Sequence, residues 1–361
     1  MYKILSFLAL VCLPLLLANL LIPKPFLTSV GWVPGSAPEL AGIYAVNNKL
    51  WRSELLGTGK VYGPEDVAVD NVGLIYGGTQ DGKIIRIHSD GYVEDWIITG
   101  GRPLGLHFDD RGNLIVCDAY LGLLSISPST EVKVLVDQVD GIPLGFADDL
   151  DIGRDGKIFF TDASAKWNQA NYMMDLLEGR PYGRFIVYDP ELDLATTLLD
   201  DLYFPNGVAL SSEEDFVLIN ETWRYRILRY WLSGDRAGEK EIFLENLPGF
   251  PDGISSNDLG TFWLAMPTPR IPIIDLAQPR PWLSQFLARL PNAFQPAPVE
   301  YGFVLGISES GEILYNLQDS TGEVLKEITS VEEHAENLYM GSLYNDRIGR
   351  YSVNNLGRES D

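Results

Sequence analysis

Alternating apolar and polar residues recur along the chain in short runs, and each run follows a turn that usually contains glycine. The copies share one order: a turn, a run of apolar side chains, and then a small or acidic residue. They lie at residues 73–78, 112–118, 156–162, 215–221, 260–265 and 336–342. Alternation with a period of two is the pattern of a β-strand with a buried face, so each copy predicts a strand.

The spacing of these copies indicates a repeat of about forty residues with insertions. Their starts are separated by 39, 44, 59, 45 and 76 residues. Further strand-like runs precede the copies, as at 66–70, and follow them, as at 82–87. A unit of this size with four short strands is one propeller blade. The sequence therefore predicts an all-β, six-bladed β-propeller over residues 41–355, in which an early strand near 42–46 closes the last blade.

The amino-terminal segment carries a different signal. From Ile4 to Pro23 the chain has twenty consecutive residues without a charge, about the length of one membrane-spanning helix. An uncleaved transmembrane or signal-anchor helix over residues 1–25, followed by a linker over 26–40, would hold the propeller on the extracytoplasmic side of a membrane. A cleaved signal peptide would instead give a secreted or periplasmic protein, but no clean cleavage site is visible. An apolar leader packed on its own domain is a third interpretation.

Residues 267–300 interrupt the repeat and are rich in proline. Within this insertion, residues 281–290 show helical spacing, with five apolar side chains on one face. These side chains are Trp282, Leu283, Phe286, Leu287 and Leu290. We interpret the helix as a cap over blade edges; a lid over the channel mouth and a patch for a membrane or a protein partner are the alternatives.

Net charge and amino-acid composition exclude some classes of function. Fifty Asp and Glu against 27 Lys and Arg give a formal net charge of −23. A field of that sign repels phosphate backbones and excludes nucleic acid as a general partner. Three histidines and two cysteines are too few for a Cys/His zinc site, whereas the abundant oxygen ligands suit Ca²⁺ or Mg²⁺.

Four oxygen-bearing side chains stand at equivalent places in the repeat, each just before a predicted innermost strand. They are Glu65, Asp148, Asn206 and Asp252. Because innermost strands surround the channel of a propeller, we expect these side chains to converge there. Three carboxylates and an amide in a desolvated channel would raise one another's pKa unless a cation neutralised them. Each segment alone is an ordinary turn sequence. Their shared position therefore favours a metal site, and the ligand types favour Ca²⁺.

Several motifs resemble those of the strictosidine synthase-like family. They lie at residues 101–105, 118–124, 221–222, 229–232, 247–252 and 341–345. The resemblance covers about residues 40–352, and the anchor matches members of the adipocyte plasma membrane-associated type. The gluconolactonase, paraoxonase and diisopropylfluorophosphatase propellers are similar at a greater distance. The resemblance implies a central Ca²⁺ whose ligands fall on the same four residues.

Departures from the family pattern bear on the chemistry. Relatives usually carry Asn at the position of Asp148, so the site here has one more negative charge. The catalytic glutamate of the plant synthase corresponds to Thr329, so we do not expect a Pictet–Spengler condensation. The paraoxonase histidine dyad is also unmatched. We interpret His107 and His334 as structural and His88 as solvated.

The leading hypothesis for function is Ca²⁺-dependent hydrolysis of a lactone or aryl ester. The metal would polarise the carbonyl, and Asp252 would act as general base on water or as nucleophile, with Asp148 as the second candidate. The predicted pocket walls are Tyr120, Trp167, Phe204 and Trp223.

The alternative hypothesis is a protein without enzymatic activity. A membrane-anchored propeller with a structural Ca²⁺ would serve as a binding platform for a protein partner, because fold does not fix function. An open channel with a pocket of roughly a few hundred Å³ would favour the enzyme, and a channel plugged by side chains would favour the platform.

Overall fold

The computed structural model describes residues 27–357, which form six four-stranded antiparallel sheets arranged in a ring. The innermost strand of each sheet contacts the innermost strands of both neighbours. The predicted six-bladed β-propeller is therefore confirmed. The predicted anchor lies outside the described residues, and no helix within 27–357 is long and apolar enough to cross a membrane.

Five blades are built from strands that are consecutive in the chain. The first strand of the chain, β1 (Glu54–Leu56), belongs to the sixth blade. Blade 1 contains β2 (Val67–Val69), β3 (Ile75–Gly78), β4 (Lys83–Ile87) and β5 (Val93–Ile98). Blade 2 contains β6 (Pro103–Phe108), β7 (Leu114–Asp118), β8 (Gly122–Ile126) and β9 (Val132–Val136). A hairpin of β10 (Gln138–Val139) and β11 (Ile142–Pro143) follows.

The next three blades repeat this order from the channel outward. Blade 3 contains β12 (Ala147–Ile152), β13 (Ile158–Asp162), β14 (Gly183–Asp189) and β15 (Leu194–Leu202). Blade 4 contains β16 (Pro205–Leu210), β17 (Phe216–Glu221), β18 (Arg226–Trp231) and β19 (Lys240–Leu244). Blade 5 contains β20 (Ile254–Ser256), β21 (Thr261–Ala265), β22 (Gly302–Ser308) and β23 (Ile313–Asp319).

Blade 6 joins the two ends of the propeller. Its three inner strands are β24 (Ile328–His334), β25 (Asn337–Ser342) and β26 (Ile348–Ser352). The outermost strand is β1, which pairs antiparallel with β26 and places Leu55 opposite Gly349. An early strand thus closes the last blade, as the sequence predicts.

The predicted position of that closing strand, near residues 42–46, is wrong. Gly42–Tyr44 form a turn of 3₁₀ helix instead. Ile43 and Val46 are 61% and 53% exposed, and within this segment only the Tyr44 side chain packs, partly buried, against the core. Leu55 and Leu56 of β1, in contrast, pack against two hydrophobic clusters. Burial decides which of the two segments becomes the strand.

Three α-helices within residues 27–357 lie between strands. They are α1 (Tyr172–Glu178), α2 (Pro272–Ala277) and α3 (Pro281–Ala288). Proline at the first turn of α2 and α3 suits a helix start, where its missing N–H costs nothing. α3 occupies most of the helix predicted over 281–290. Its predicted apolar face is divided, because Leu287 is buried whereas Trp282 and Phe286 are exposed.

Residues 27–36, called here the strap, cross these helices without regular secondary structure. The backbone N–H and the hydroxyl of Thr28 both donate to Glu178 Oε1 of α1, at 3.0 and 2.8 Å. Trp32 N donates to Gln278 O at the end of α2, at 3.0 Å. Gln285 Nε2 of α3 donates to Leu27 O at 3.2 Å. The first part of the stretch predicted as a linker, residues 27–32, therefore has hydrogen bonds to all three helices or their ends.

Candidate functional site

Two of the predicted ligands lie in β-bulges of innermost strands. The pairing of β12 with β13 skips from Ala147 to Leu150, and that of β16 with β17 skips from Pro205 to Val208. Asp148 and Asn206 are the first residues of the two skipped pairs. A bulge re-aims a side chain and interrupts the ladder. Both side chains consequently line a cavity at the end of the channel where the innermost strands begin, called here the upper end.

Glu65 and Asp252 reach the same cavity in another way, because their strands start late. β2 and β20 each begin two residues further along the chain, so neither side chain is held in a ladder. Neighbouring blades hold their backbone. Thr329 Oγ1 donates to Glu65 O at 2.6 Å, and Gly207 N donates to Asp252 O at 3.0 Å. The two loops are thereby fixed between blades.

The equivalent positions of the remaining blades carry Leu104 and Thr329. Leu104 falls in the bulge of β6, and Thr329 falls in the register shift of β24. The Thr329 hydroxyl is already used by the carbonyl oxygen of Glu65. The four oxygen-bearing side chains that the sequence singles out are thus brought together on the wall of one cavity. We call them the ring.

Burial makes the charged form of the ring carboxyl groups costly. Burial, and then the charge of Asp252, raises the pKa of Glu65 well above its usual value. Burial, and then the charges of Glu65 and Asp252, does the same to Asp148. Burial raises the pKa of Asp252 to about 8, although a hydrogen bond from Asn206 lowers it. The ring therefore requires protons or a cation.

One ring oxygen suits a cation in particular. Asp148 Oδ2 is buried and has no hydrogen-bond partner among residues 27–357. Such an atom is costly, and a cation with oxygen ligands would satisfy it. No three His, Cys, Asp or Glu side chains of the described chain already converge as a metal cluster. Asn206 Nδ2 donates to Asp252 Oδ1, and rotation of this amide would turn its oxygen toward a cation instead.

The cavity bordered by the ring has a volume of about 120 Å³. Its walls are aromatic: the rings of Phe204 and Trp223 have centroids 4.5 Å apart, and Phe250 lies 6.0 Å from Trp223. Ile271 and Ile274, at the start of α2, also line it. The insertion between β21 and β22 therefore covers the upper end of the channel, which is the arrangement of the lid alternative.

The predicted substrate-binding residues divide into two pairs. Phe204 and Trp223 line the cavity, whereas Tyr120 and Trp167 do not. Tyr120 is 48% exposed, and its hydroxyl donates to Gln169 Oε1, a cavity residue, at 3.2 Å. Trp167 Nε1 donates to a carboxylate of α1 at 2.9 Å. Trp167 thus holds α1 in place, and Tyr120 lies at the margin of the cavity.

Sequence reasoning missed three titratable residues on the cavity wall, Glu327, Tyr172 and Tyr344, and burial shifts the pKa of the first two. Glu327 is 7% exposed, and burial raises its pKa to about 7. Burial, and then the neighbouring Tyr344, raises the pKa of Tyr172. Glu327 directly precedes an innermost strand, and that position in the repeat was the available signal. Tyr172 lies in α1, outside the repeat, and had none.

The other end of the channel opens into a wider cavity of about 900 Å³. Asp66, Asp149 and Glu332 line it, and burial raises the pKa of each, to about 6 for Asp66. His107 and His334 also line this lower cavity and are not part of the upper one. Buried carboxyl groups therefore line both ends of the channel.

Comparison with known proteins identifies the family of this chain. The strictosidine synthase family matches residues 148–235, and the strictosidine synthase-like amino-terminal family matches residues 42–87. The chain is 37% identical over 330 residues to the adipocyte plasma membrane-associated protein of Bos taurus, covering 84% of this chain and 79% of that relative. The chain belongs to the strictosidine synthase-like family. The two matched segments contain three ring residues of this strictosidine synthase-like protein: Glu65, Asp148 and Asn206.

Solved structures share the fold of this strictosidine synthase-like protein. A gluconolactonase from Xanthomonas campestris matches with a TM-score of 0.62 and 15% identity, over 91% of this chain and 98% of that chain. A calcium-binding protein from Agrobacterium tumefaciens, regucalcin, matches with a TM-score of 0.59 and 12% identity, over 82% and 92% of the two chains. At such identities the likeness shows the propeller fold alone.

Proposed function

We propose that this strictosidine synthase-like protein is a Ca²⁺-dependent hydrolase of small lactones or esters, aryl esters included. The observation that carries the proposal is the ring beside a covered aromatic cavity, with Asp148 Oδ2 unpartnered within the described chain. Such a hydrolase needs oxygen ligands for a metal and an adjoining apolar pocket for the substrate. Glu65, Asp148, Asn206 and Asp252 would hold the metal.

The residues of the ring also supply the proton transfer. Bound Ca²⁺ would polarise the substrate carbonyl and stabilise the oxyanion. The Asp252 carboxylate accepts a proton from water as the water oxygen bonds to the carbonyl carbon. That proton then passes to the leaving oxygen as the acyl–oxygen bond breaks, giving the acid and the alcohol. Asp148 is the second candidate for this role, and attack by Asp252 itself is the covalent variant.

The cavity sets the size of the substrate. Its volume of about 120 Å³ is below the roughly 300–1,000 Å³ of sites for drug-sized ligands. A small lactone or ester fits between Phe204 and the lid residues, and a larger one requires the lid to move. The volume and Thr329 both argue against a condensation of two large substrates at this site.

Names of similar proteins support parts of this proposal. One structural neighbour is a gluconolactonase and another is a calcium-binding protein, which fits a metal-dependent lactone hydrolase. A relative is named for association with the plasma membrane. This name supports membrane association, and we propose that residues 1–25 are the anchor and that the propeller lies outside the cytoplasm.

The test is an assay of the full-length protein against small lactones and aryl esters, with Ca²⁺, with a chelator, and after Ca²⁺ is restored. We expect turnover that the chelator abolishes and Ca²⁺ restores. Asp252→Asn should lower kcat about 100-fold or more, because general-base catalysis contributes roughly 10²–10⁴-fold. Glu213→Gln, at an exposed carboxylate, is the matched control and should leave kcat unchanged.

The small cavity, with residues of the insertion in its wall, favours a second candidate function, a binding platform without enzymatic activity. Absence of turnover, with Ca²⁺ still raising the unfolding temperature, would contradict the hydrolase and support a binding platform with a structural Ca²⁺. If Ca²⁺ changed neither turnover nor stability, the metal site itself would be refuted.

A further inference from the structure

We infer that the outer surface of the insertion helices docks on a lipid bilayer, over the roof of the candidate cavity. This surface, called the apolar lid face, is formed by α2, α3 and the strap. Its exposed apolar side chains are Val30, Val33, Ile273, Leu276, Trp282 and Phe286. The inference rests on the proposed membrane anchoring and is independent of the proposed hydrolysis.

The exposure of these side chains is unusual for helices that face water. On α3, Trp282 is 67% exposed and Phe286 is 45% exposed, and they lie one turn apart on the same side. On α2, Ile273 and Leu276 are 37% and 47% exposed. A helix that faces water carries polar residues on that side. A cluster of exposed apolar residues marks contact with a membrane or a partner.

The inner sides of α2 and α3 are already packed against the hydrophobic core. Ile274 and Ala277 of α2, with Leu287 and Ala288 of α3, are buried in the largest hydrophobic cluster of the described chain. Packing within the propeller is therefore satisfied by other residues. The outer apolar residues add nothing to that packing and leave a second apolar surface in need of a partner.

The path of the chain places a membrane beside this face. Gln285 of α3 binds the carbonyl oxygen of Leu27, so the strap begins next to Trp282 and Phe286. Only three residues separate Leu27 from Pro23, the last residue of the uncharged run. Four residue steps span at most about 14 Å. If the uncharged run lies in the hydrocarbon core, α3 is held at the headgroup layer.

The charges and aromatic residues of the insertion fit a bilayer surface. Although the whole chain carries −23, residues 267–300 contain three arginines against Asp275 and Glu300. Asp275 is turned inward, where it accepts a hydrogen bond from Tyr225 at 2.8 Å. Arg270 is also buried, so the exposed charges are those of Arg280, Arg289 and Glu300. Arg280 and Arg289 are exposed near the ends of α3. Arginine beside tryptophan at a membrane interface binds lipid phosphates while the indole ring lies at headgroup level.

The experiment measures contact of single sites with lipid in the full-length protein, reconstituted in nanodiscs of phosphatidylcholine and phosphatidylserine. A fluorophore is attached to Phe286→Cys or to Leu259→Cys, each in a Cys12→Ser background. Cys117 is fully buried and stays unlabelled. Leu259 is 85% exposed in the turn between β20 and β21, at the lower end of the propeller, and is the matched control. A third sample carries the fluorophore on native Cys12 and reports on the anchor.

Lipids with a nitroxide near the headgroup should quench the label at residue 286 several-fold more than the label at residue 259. Equal quenching at the two sites, with Cys12 in lipid, would overturn the docking and leave the anchoring intact. A water-exposed Cys12 would overturn both. Protection of residue 286 in detergent that grows with protein concentration would assign the face to a second copy of the chain and refute the bilayer. Quenching at residue 286 without any hydrolysis would uphold the docking alone.

Discussion

The buried carboxyl group of Asp148 lacks the hydrogen bonds and opposite charges that would stabilise its ionised form. Its side chain is 3% exposed, and its Oδ2 atom lacks a hydrogen-bond partner within the range that the structure covers. Glu65 and Asp252 oppose its ionisation. Without a cation the residue holds a proton or destabilises the fold. If Asp148 ligates Ca²⁺ as proposed, it couples metal binding to folding.

Replacing Asp148 by Asn should separate these two effects. The amide keeps the shape and removes the buried charge, so the metal-free protein should gain about 1–3 kcal/mol in free energy of unfolding. Affinity for Ca²⁺ should fall, because a charged ligand is lost. Denaturant unfolding with a chelator and titration with Ca²⁺ measure the two quantities. Asp235→Asn, at an exposed carboxylate, should change neither. A loss of stability in the chelated Asn variant would contradict this account.

Asp175 is a buried carboxyl group outside the ring. Ser164 Oγ and Trp223 Nε1 donate to its two oxygens, at 2.6 and 3.0 Å. Burial raises its pKa from 3.8 to about 7. The folded protein thus holds this proton more strongly than the unfolded chain. The resulting stabilisation is complete below pH 3.8 and is lost as the pH rises through 7.

Asp175→Asn should reduce the loss of stability between about pH 4 and pH 7.5. The amide can accept from Trp223 and donate to Ser164, so both hydrogen bonds are kept. The difference from wild type should be at most about 4 kcal/mol, at roughly 1.4 kcal/mol for each pKa unit. Urea unfolding at both pH values measures it, with Asp235→Asn as control. Parallel pH profiles for the wild type and the Asn variant would rule out Asp175 as the source.

At the scale of elements, β1 has more influence than its length suggests. Its residues Leu55 and Leu56 contact different hydrophobic clusters, one shared by the fifth and sixth blades and one shared by the sixth and first blades. The strand therefore both completes a sheet and joins two blades. Loss of its apolar side chains should weaken the closure of the ring.

The double variant Leu55→Asn, Leu56→Asn should lower the free energy of unfolding by about 2–4 kcal/mol, because two partly buried apolar contacts are lost. The matched control is Ile43→Asn, Val46→Asn, in the exposed segment 42–46, which should change stability by less than about 0.5 kcal/mol. Denaturant midpoints compare the two proteins. Larger damage from the control would mean that segment 42–46 holds the ring closed.

The ring could be predicted from the sequence because a repeat maps equivalent residues onto equivalent positions in space. Glu65, Asp148, Asn206 and Asp252 each stand two residues before the regular pairing of their innermost strand begins or resumes, so the strand pattern brings them together. The closing strand could not be located in this way. Its partner, β26, is almost the whole chain away, and a local pattern does not encode a distant partner.

The insertions were harder still to predict, because their positions depend on tertiary contacts. Nothing in the sequence of α1, or of the loop before it, indicates that Tyr172 lines the cavity and that Trp167 does not. Their placement follows from the bonds of Glu178 to the strap and to Lys166. Helical spacing predicted α3, but it could not show which apolar residues pack inward and which remain exposed.

At the scale of the whole molecule, charge and shape act together. The net charge is −23, and in the lining of the lower cavity carboxyl groups outnumber the basic side chains Arg111, Lys133 and Arg154. A cleft with an excess of one sign raises the local concentration of counter-ions, and the effect weakens with salt. We therefore expect cations to approach the ring from the lower end, because the insertion lines the upper end.

The pairing of β1 with β26 also determines how late in biosynthesis the propeller can close. About 290 residues separate the end of β1 from the start of β26. At roughly 5–20 residues per second, their translation takes about 15 to 60 s. During that time β1 has left the ribosome before its partner exists, and unpaired strand edges are prone to aggregate. A nascent chain of this protein thus depends on protection until the final blade emerges, and a ribosome stalled near residue 320 would leave an open ring.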